Sequence, residues 1–335
     1  LSGLISNESP LAVVFAPAGP YLSADERAFF REAGPLGFIL FARNCESPDQ
    51  IRTLCEDLRN AVGRACPVLI DQEGGRVRRY TGDDWPQIGP ARGYGDAIRQ
   101  EGARAAERLH HDMAALAAAL SHGGIDVNCA PVADLACTGM SEAIGDRAYS
   151  NDPDIVVQAC DQVCRAFLGS GVTPVVKHLP GHGRAVVDPH AELPVVDADW
   201  ARLQDADFSV FQQIFAQRYA QGLWGMMGHV IYTAMDPAYP ASLSRRVISD
   251  IVRDRMGFEG FLLSDDISMG ALSMYGDLPE RAKLTLEAGV DCALYCHGSL
   301  NEMKALAQDV PQLSAASLKR MEISRQWRSR RTQSA

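Results

Sequence analysis

The stretch VVKHLPGHGRAVVDPH, Val175 to His190, gathers three histidines, a lysine, an aspartate and two glycines behind an apolar lead-in. Asp188 and His190 are two apart in a glycine-containing segment, close enough for a carboxylate to orient and charge an imidazole. A histidine so paired serves as general acid or base near neutral pH. Other chemistries fit the same residues. His178, His182, Asp188 and His190 offer metal-ligand types, Lys177 offers a Schiff base, and any one histidine could be a satisfied structural group. Gly181 and Gly183 would let the chain turn tightly and approach a ligand.

Two further stretches carry clustered charge. In LLSDDISM, Asp265 and Asp266 are adjacent at an apparent strand end, so their side chains should project to opposite sides and only one should face a site. The plain alternative is that one of them caps the next helix. In DQEGGRVRRY, Asp71 precedes a Gly74-Gly75 bend, with Arg76 and Arg79 as fixed donors. A carboxylate beside arginines suits a hydroxyl-rich ligand, and an internal ion pair explains the segment equally well.

These residues need elements to position them. Short apolar runs recur: LAVVFAP, GFILFAR, PVLIDQE, DVNCAPV, PVVKHLP, GMMGHVI, GFLLSDD and CALYC. Near-continuous apolarity with β-branched residues predicts parallel strands covered on both faces. Helical patterns lie between them. Ser23 with Glu26 predicts a capping box ending at Gly34. Ser47 as cap, Pro48 at the first helical position and Gln50 closing a second capping box predict another helix, with Ile51, Leu54, Cys55 and Leu58 on one face. ARAAERLHHDMAALAAAL, DPDIVVQACDQVCRAFLGSG and SRRVISDIVRDRMGFEG read as helices ending at glycines.

Eight strands alternating with helices predict an α/β fold, a (β/α)8 TIM-type barrel in a single domain, which takes about 250 residues plus insertions. A doubly wound open sheet is disfavoured because no GxGxxG turn follows the first strand. The barrel core should occupy about residues 11–300 and a C-terminal helix about 314–331, all within one domain over 1–335. In such a barrel the working residues lie at the carboxyl ends of strands. Asp71 and Glu73 end the third run, Lys177 and His178 the fifth, His229 the sixth, and Asp265 and Asp266 the seventh.

The 335 residues have 47% hydrophobic and 22% charged content, ordinary for a globular chain. A net charge of −10 argues against nucleic acid or an anionic membrane as partner. The arginines near the end, Arg325, Arg328, Arg330 and Arg331, read as the solvated face of the last helix. No apolar run reaches membrane-spanning length, and no secretory signal opens the chain, so a cytoplasmic protein is expected. The nine cysteines sit mostly among apolar neighbours, as reduced packing residues do.

The segment KHLPGHGRAVVDPH resembles the K-H-[FI]-P-G-H-G-x4-D-[ST]-H signature of β-N-acetylglucosaminidases in glycoside hydrolase family 3. DQEGGRVRR, APVADL, IGDRAYS, HVIYTAMDPAYPASLS and GFLLSDDISMGAL resemble that group's other blocks, in the same order. The resemblance implies that Asp265 is the nucleophile, His190 the general acid/base and Asp188 its dyad partner. It implies that Asp71, Arg79, Arg147, Lys177 and His178 hold the N-acetylglucosamine ring, with no metal or organic cofactor. Pro189 departs from the family's Ser or Thr, and Gly228 stands where alanine is expected. The implied substrate is a small-molecule carbohydrate with nonreducing β-linked N-acetylglucosamine. In single-barrel bacterial members it is a 1,6-anhydro-muropeptide of cell-wall recycling, handled by a monomer in the cytoplasm. A phosphorylase using phosphate as acceptor, or a β-glucosidase, is the near alternative. A metal-dependent barrel hydrolase, a noncatalytic sugar-binding barrel and a substrate-assisted glycosidase are the farther ones.

Overall fold

The computed structural model describes residues 9–329. The strands are β1 (Leu11–Phe15), β2 (Pro35–Leu40), β3 (Val68–Ile70), β4 (Val127–Asn128), β5 (Thr173–Leu179), β6 (Val195–Val196), β7 (Trp224–Met227), β8 (Ile231–Tyr232), β9 (Phe261–Asp266) and β10 (Cys292–Tyr295). Eight of them close into a barrel in the order β1-β10-β9-β7-β5-β4-β3-β2. Every pairing around it is parallel. Each barrel strand overlaps one of the apolar runs read from the sequence, with β2, β5 and β7 starting one or two residues earlier, because a strand buried on both faces has no polar positions to alternate. β6 and β8 pair separately, outside the barrel, in the loops that follow β5 and β7.

The helices form where capping and periodicity dictate. Ser23 and Glu26 make the reciprocal capping box of Ala24–Ala33, and Gly34 ends it in the left-handed region. Ser47 caps Pro48–Val62, whose Ile51, Leu54, Cys55 and Leu58 are buried as expected. Gln50 does not close the second box. Its side chain accepts from the Glu46 N–H and donates to the Pro20 and Asn44 carbonyls, so it fastens the preceding loop instead. The helix predicted near 244–256 is a π-helical segment, Val247–Arg255.

The amino ends of the strands form the floor of the barrel, and the helix Ala315–Ser329 runs beneath it. Asp291, just before β10, is 2% exposed and pairs with Arg253 at 3.0 Å and Arg320 at 2.7 Å. It also accepts from the Ser317 hydroxyl and the Leu262 N–H. Arg328 is not on a solvated face: it reaches the Asp126 carboxylate at 2.8 Å, just before β4. Arg325 pairs along the helix with Glu322, and Arg330 and Arg331 lie outside the described residues. All nine cysteines are free thiols, seven of them buried. Among the described residues no helix is long and apolar enough to cross a membrane.

Candidate active site

The opposite end of the barrel collects the polar strand ends. Asp71 and Glu73 follow β3, and Lys177 lies near the end of β5 with its side chain only 3% exposed. Its ammonium bridges the Asp71 carboxylate at 2.9 Å and the Glu73 carboxylate at 2.6 Å. Burial alone would lower the Lys177 pKa, but the two carboxylates reverse this and hold it above the usual range. A Schiff-base role needs the neutral amine, so the pairing removes the aldolase-like reading of Lys177.

Arg79 pairs with Asp71 at 2.9 Å and lies over the Phe41 ring, 4.7 Å from its centroid. The loop that returns Arg79 to Asp71 is closed by Gln72, whose side-chain oxygen accepts from the Arg79 and Tyr80 N–H groups. Arg76, read from the sequence as a second donor beside Asp71, points elsewhere. It pairs with Asp146 and bonds the carbonyls of Glu142, Ala143 and Ile144, so it fixes the loop that carries Arg147. Arg147 in turn grips Glu73 through two parallel bonds of 2.9 and 2.8 Å. Burial would raise the Glu73 carboxyl, but Arg147 and Lys177 lower it to about 2.

Consecutive residues of a regular strand face opposite sides, yet Lys177 and His178 both serve this mouth. The register of β5 against β7 shifts between Lys177 and Leu179, which breaks the alternation there. His178 donates from Nδ1 to the Asp134 carboxylate at 2.6 Å, leaving Nε2 toward Arg147 at 3.5 Å. Asp134 is fully buried and its other oxygen accepts the His178 and His182 N–H groups. Sequence reasoning missed Asp134 as a site residue because β4 ends at Asn128, six positions earlier. The chain continues alongside β5, with bonds between Lys177 and residues 131 and 133, and this extension delivers Asp134 to the mouth. Glu73 was read only as a strand end, and here it is the partner of both Arg147 and Lys177.

On β9 the two aspartates divide as expected. Asp266 accepts from the Ser268 N–H and hydroxyl and so caps the following turn. Asp265 has one oxygen accepting the Asp266 N–H. Burial would raise its carboxyl, but the His178 and His229 imidazoles, that N–H and the Lys177 ammonium outweigh burial and hold it below the usual carboxylate range. His229 is fully buried and fully used. Nε2 donates to the Asp266 carbonyl at 3.0 Å, which leaves Nδ1 to accept from the Ser242 hydroxyl at 2.7 Å. It ties the loop after β7 to the turn after β9.

Asp188 and His190 meet as predicted. Nδ1 of His190 lies 2.8 Å from Oδ1 of Asp188, which also accepts the His190 N–H. Both side chains are exposed, at 72% and 50%. Pro189 suits this loop: it is the second residue of a turn in which the Asp188 carbonyl accepts from the Ala191 and Glu192 N–H groups, a position where proline's fixed φ is favoured. The loop rests on the turn after β9, with Gly270 N–H donating to the His190 carbonyl and Ala271 N–H to that of Pro189. Gly183, expected to let the chain approach a ligand, instead allows a backbone contact. A Cβ there would sit 1.8 Å from the Leu135 carbonyl oxygen.

The structure thus brings Asp71, Arg79, Arg147, Lys177 and His178 into one bonded network, in electrostatic reach of Asp265, with the Asp188–His190 loop against the turn that follows Asp265. His178, His182, Asp188 and His190 do not converge as a ligand set. Among the described residues no three His, Cys, Asp or Glu side chains are grouped to hold a metal ion.

Comparison with known proteins agrees with this architecture. The profile of the glycosyl hydrolase family 3 N terminal domain matches residues 22–327. A beta-hexosaminidase of Alkalilimnicola ehrlichii is 38% identical over 281 residues, covering 83% of this chain and 78% of that protein. The crystal structure of NagZ from Neisseria gonorrhoeae in complex with N-trifluoroacetyl-D-glucosamine is similar with a TM-score of 0.86 at 27% identity, over 96% of this chain and 91% of that one. A family 3 beta-N-acetylglucosaminidase from Paenibacillus has the same TM-score of 0.86 at 28% identity, and there 95% of this chain spans 61% of a longer protein. With the family profile running through nearly all of the barrel and a curated relative more than a third identical, the chain belongs to glycosyl hydrolase family 3 and is a glycoside hydrolase.

Proposed function

We propose that the protein is a retaining exo-β-N-acetylglucosaminidase that removes terminal β-linked N-acetylglucosamine through an aspartyl glycosyl-enzyme. The observation that carries this reading is the 2.8 Å Asp188–His190 pair on a loop bonded to the turn after Asp265. Retaining glycosidases usually use two carboxylates, one nucleophile and one acid/base. Here Asp265 is the first and the Asp188–His190 dyad replaces the second.

In the first step an oxygen of ionised Asp265 bonds to the anomeric carbon while Nε2 of His190 gives its proton to the leaving oxygen. Asp188 holds Nδ1–H and so stabilises the imidazolium. In the second step neutral His190 takes a proton from water, water attacks the anomeric carbon and Asp265 departs as carboxylate. Asp71, Arg79, Arg147, Lys177 and His178 hold the ring hydroxyls and the acetamide. The network keeps these groups charged and pre-placed, so little reorganisation accompanies binding.

Substrate assistance by the 2-acetamido oxygen needs a second carboxyl group near Asp265. Asp266 is committed to Ser268, which favours the covalent route. The beta-hexosaminidase names of the relatives support the sugar. A 1,6-anhydro-muropeptide substrate, a cytoplasmic setting and a one-domain monomer rest on the family resemblance, and every group in the scheme comes from one chain.

The test is turnover of an aryl N-acetyl-β-glucosaminide with and without phosphate, beside the corresponding glucoside. Release of β-configured N-acetylglucosamine is expected. Strict dependence on phosphate would assign a phosphorylase instead, and preference for the glucoside would overturn the sugar assignment. A slow fluorinated N-acetylglucosaminide should label the peptide containing Asp265. Labelling at Asp266 would sink the nucleophile assignment.

A further inference from the structure

One side chain at the mouth has no task in this scheme. His182 is 2% exposed, and neither Nδ1 nor Nε2 has a hydrogen-bond partner. Its backbone N–H is held by Asp134 at 2.6 Å, so its position is fixed by the same buried carboxylate that orients His178. Its ring meets that of His178 edge to face, 5.6 Å between centroids. It lies close enough to both Asp265 and Asp188 to interact with them electrostatically. Gly228, where the family's alanine was expected, is beside it: a Cβ there would meet His182 Cδ2 at 3.6 Å and His178 Cβ at 3.2 Å.

A buried imidazole with two empty nitrogens loses the hydrogen bonds that water gave it and gains none in return. Such groups are rare in folded proteins and call for a partner that arrives later or for an ordered water. A second carboxylate is not the partner, since both Asp134 oxygens are already engaged. An imidazole that carries one proton offers one donor and one acceptor. A sugar hydroxyl, or the N–H and C=O of an acetamide, matches that pair.

We propose that His182 is a further sugar-contacting residue, whose ring hydrogen-bonds the N-acetylglucosaminide bound over Asp265. The inference rests on the functional reading given above and adds a specificity contact to it. His182→Asn keeps one donor and one acceptor, whereas His182→Phe keeps the ring's shape without either. KM for the aryl N-acetyl-β-glucosaminide should rise about tenfold in His182→Phe, the size of one net neutral hydrogen bond. It should be substantially restored in His182→Asn, with kcat changing less than KM in both. A residue that only fills space would show the reverse order.

The second measurement uses the unaltered chain. With 15N-labelled histidine, the two imidazole nitrogens of His182 should shift on addition of N-acetyl-D-glucosamine and much less on addition of D-glucose. The resonances are assigned by their loss in His182→Phe or, if that variant does not fold, in His182→Asn. Unmoved His182 signals at saturating sugar, or a wild-type KM in His182→Phe, would overturn the inference. An inactive wild type whose His182 signals still respond to sugar would overturn the catalytic reading and keep the contact. An active wild type with silent His182 signals would do the opposite.

Discussion

The proposed mechanism gives Asp265 and His190 different duties, and their variants should separate them. A general acid matters in proportion to how poor the leaving group is, and contributes about 10²–10⁴-fold. His190→Ala should therefore cripple cleavage of a sugar–sugar bond while slowing an activated nitrophenyl donor far less. With that donor the glycosyl-enzyme should accumulate as a burst, and azide should speed turnover and give a β-glycosyl azide. Asp265→Ala should be slow on both donors with no burst. Equal losses for His190→Ala on the two donors, without azide rescue, would reduce His190 to a binding group. His182 gives a second residue-scale prediction. Burial, then His178, lowers its pKa from the ordinary histidine value to about 4. Between about 6.5, the unfolded value, and 4 the unfolded chain binds the extra proton and the folded one does not. Stability contributed by neutral His182 is thus present above about 6.5 and declines as pH falls toward 4, by on the order of 2–3 kcal/mol. Denaturant melts across that window should be flatter for His182→Asn than for the wild type. Parallel slopes would mean that His182 stays protonated in the fold.

At the scale of elements, the decisive joint is the one between the dyad loop and the turn after β9. Gly270 donates to the His190 carbonyl, and a Cβ at Gly270 would sit 2.7 Å from that oxygen and 2.9 Å from the Ala191 carbonyl oxygen. Gly270→Ala should push the loop off its seat without touching Asp265. Displacement of an acid/base by about an ångström costs up to about 100-fold. The expected result is a kcat for unactivated substrates lowered about 10–100-fold. Labelling of Asp265 by the fluorinated donor, which needs little acid assistance, should continue. Loss of labelling in proportion to kcat would show that the turn positions the nucleophile rather than the dyad. The same turn is fastened on its other side by His229, through Ser242 and the Asp266 carbonyl. Three loops, after β5, β7 and β9, are therefore joined, by backbone bonds from the β5 loop and by the His229 side chain from the β7 loop.

For the whole molecule, the two ends of the barrel divide chemistry from stability. The floor is organised by Asp291, which holds Arg253 from the 247–255 segment and Arg320 and Ser317 from the last helix. Removing one member of a buried charge set leaves the others unpaired and costs about 3–5 kcal/mol. Asp291→Ala should lower the unfolding free energy from denaturant melts by that amount while kcat at low temperature stays near the wild-type value. Unchanged stability would show that Arg253 and Arg320 are satisfied by solvent. A large loss of kcat in protein that remains folded would show that floor and mouth are coupled.

Strand positions, helix caps and the polar strand ends were legible in the sequence because each depends on local rules. Strands buried on both faces must be apolar throughout, and Ser23 with Glu26 bonds only its own turn. The Asp188–His190 pair was legible for the same reason, being separated by one residue. Relations between distant segments were decided by closure of the barrel. Asp134 reaches His178 across 44 positions only because the chain after β4 runs on beside β5. Arg147 finds Glu73 across 74 positions, while Arg76, adjacent to the bend, turns away to brace the loop that brings Arg147 in. Arg328 ended against Asp126 rather than in solvent because the last helix runs under the barrel floor, where a carboxylate lacked a second partner. Residue type sets which charges must be compensated, and only tertiary structure selects the partner, because in a parallel barrel neighbouring strand ends are separated by whole helices in sequence.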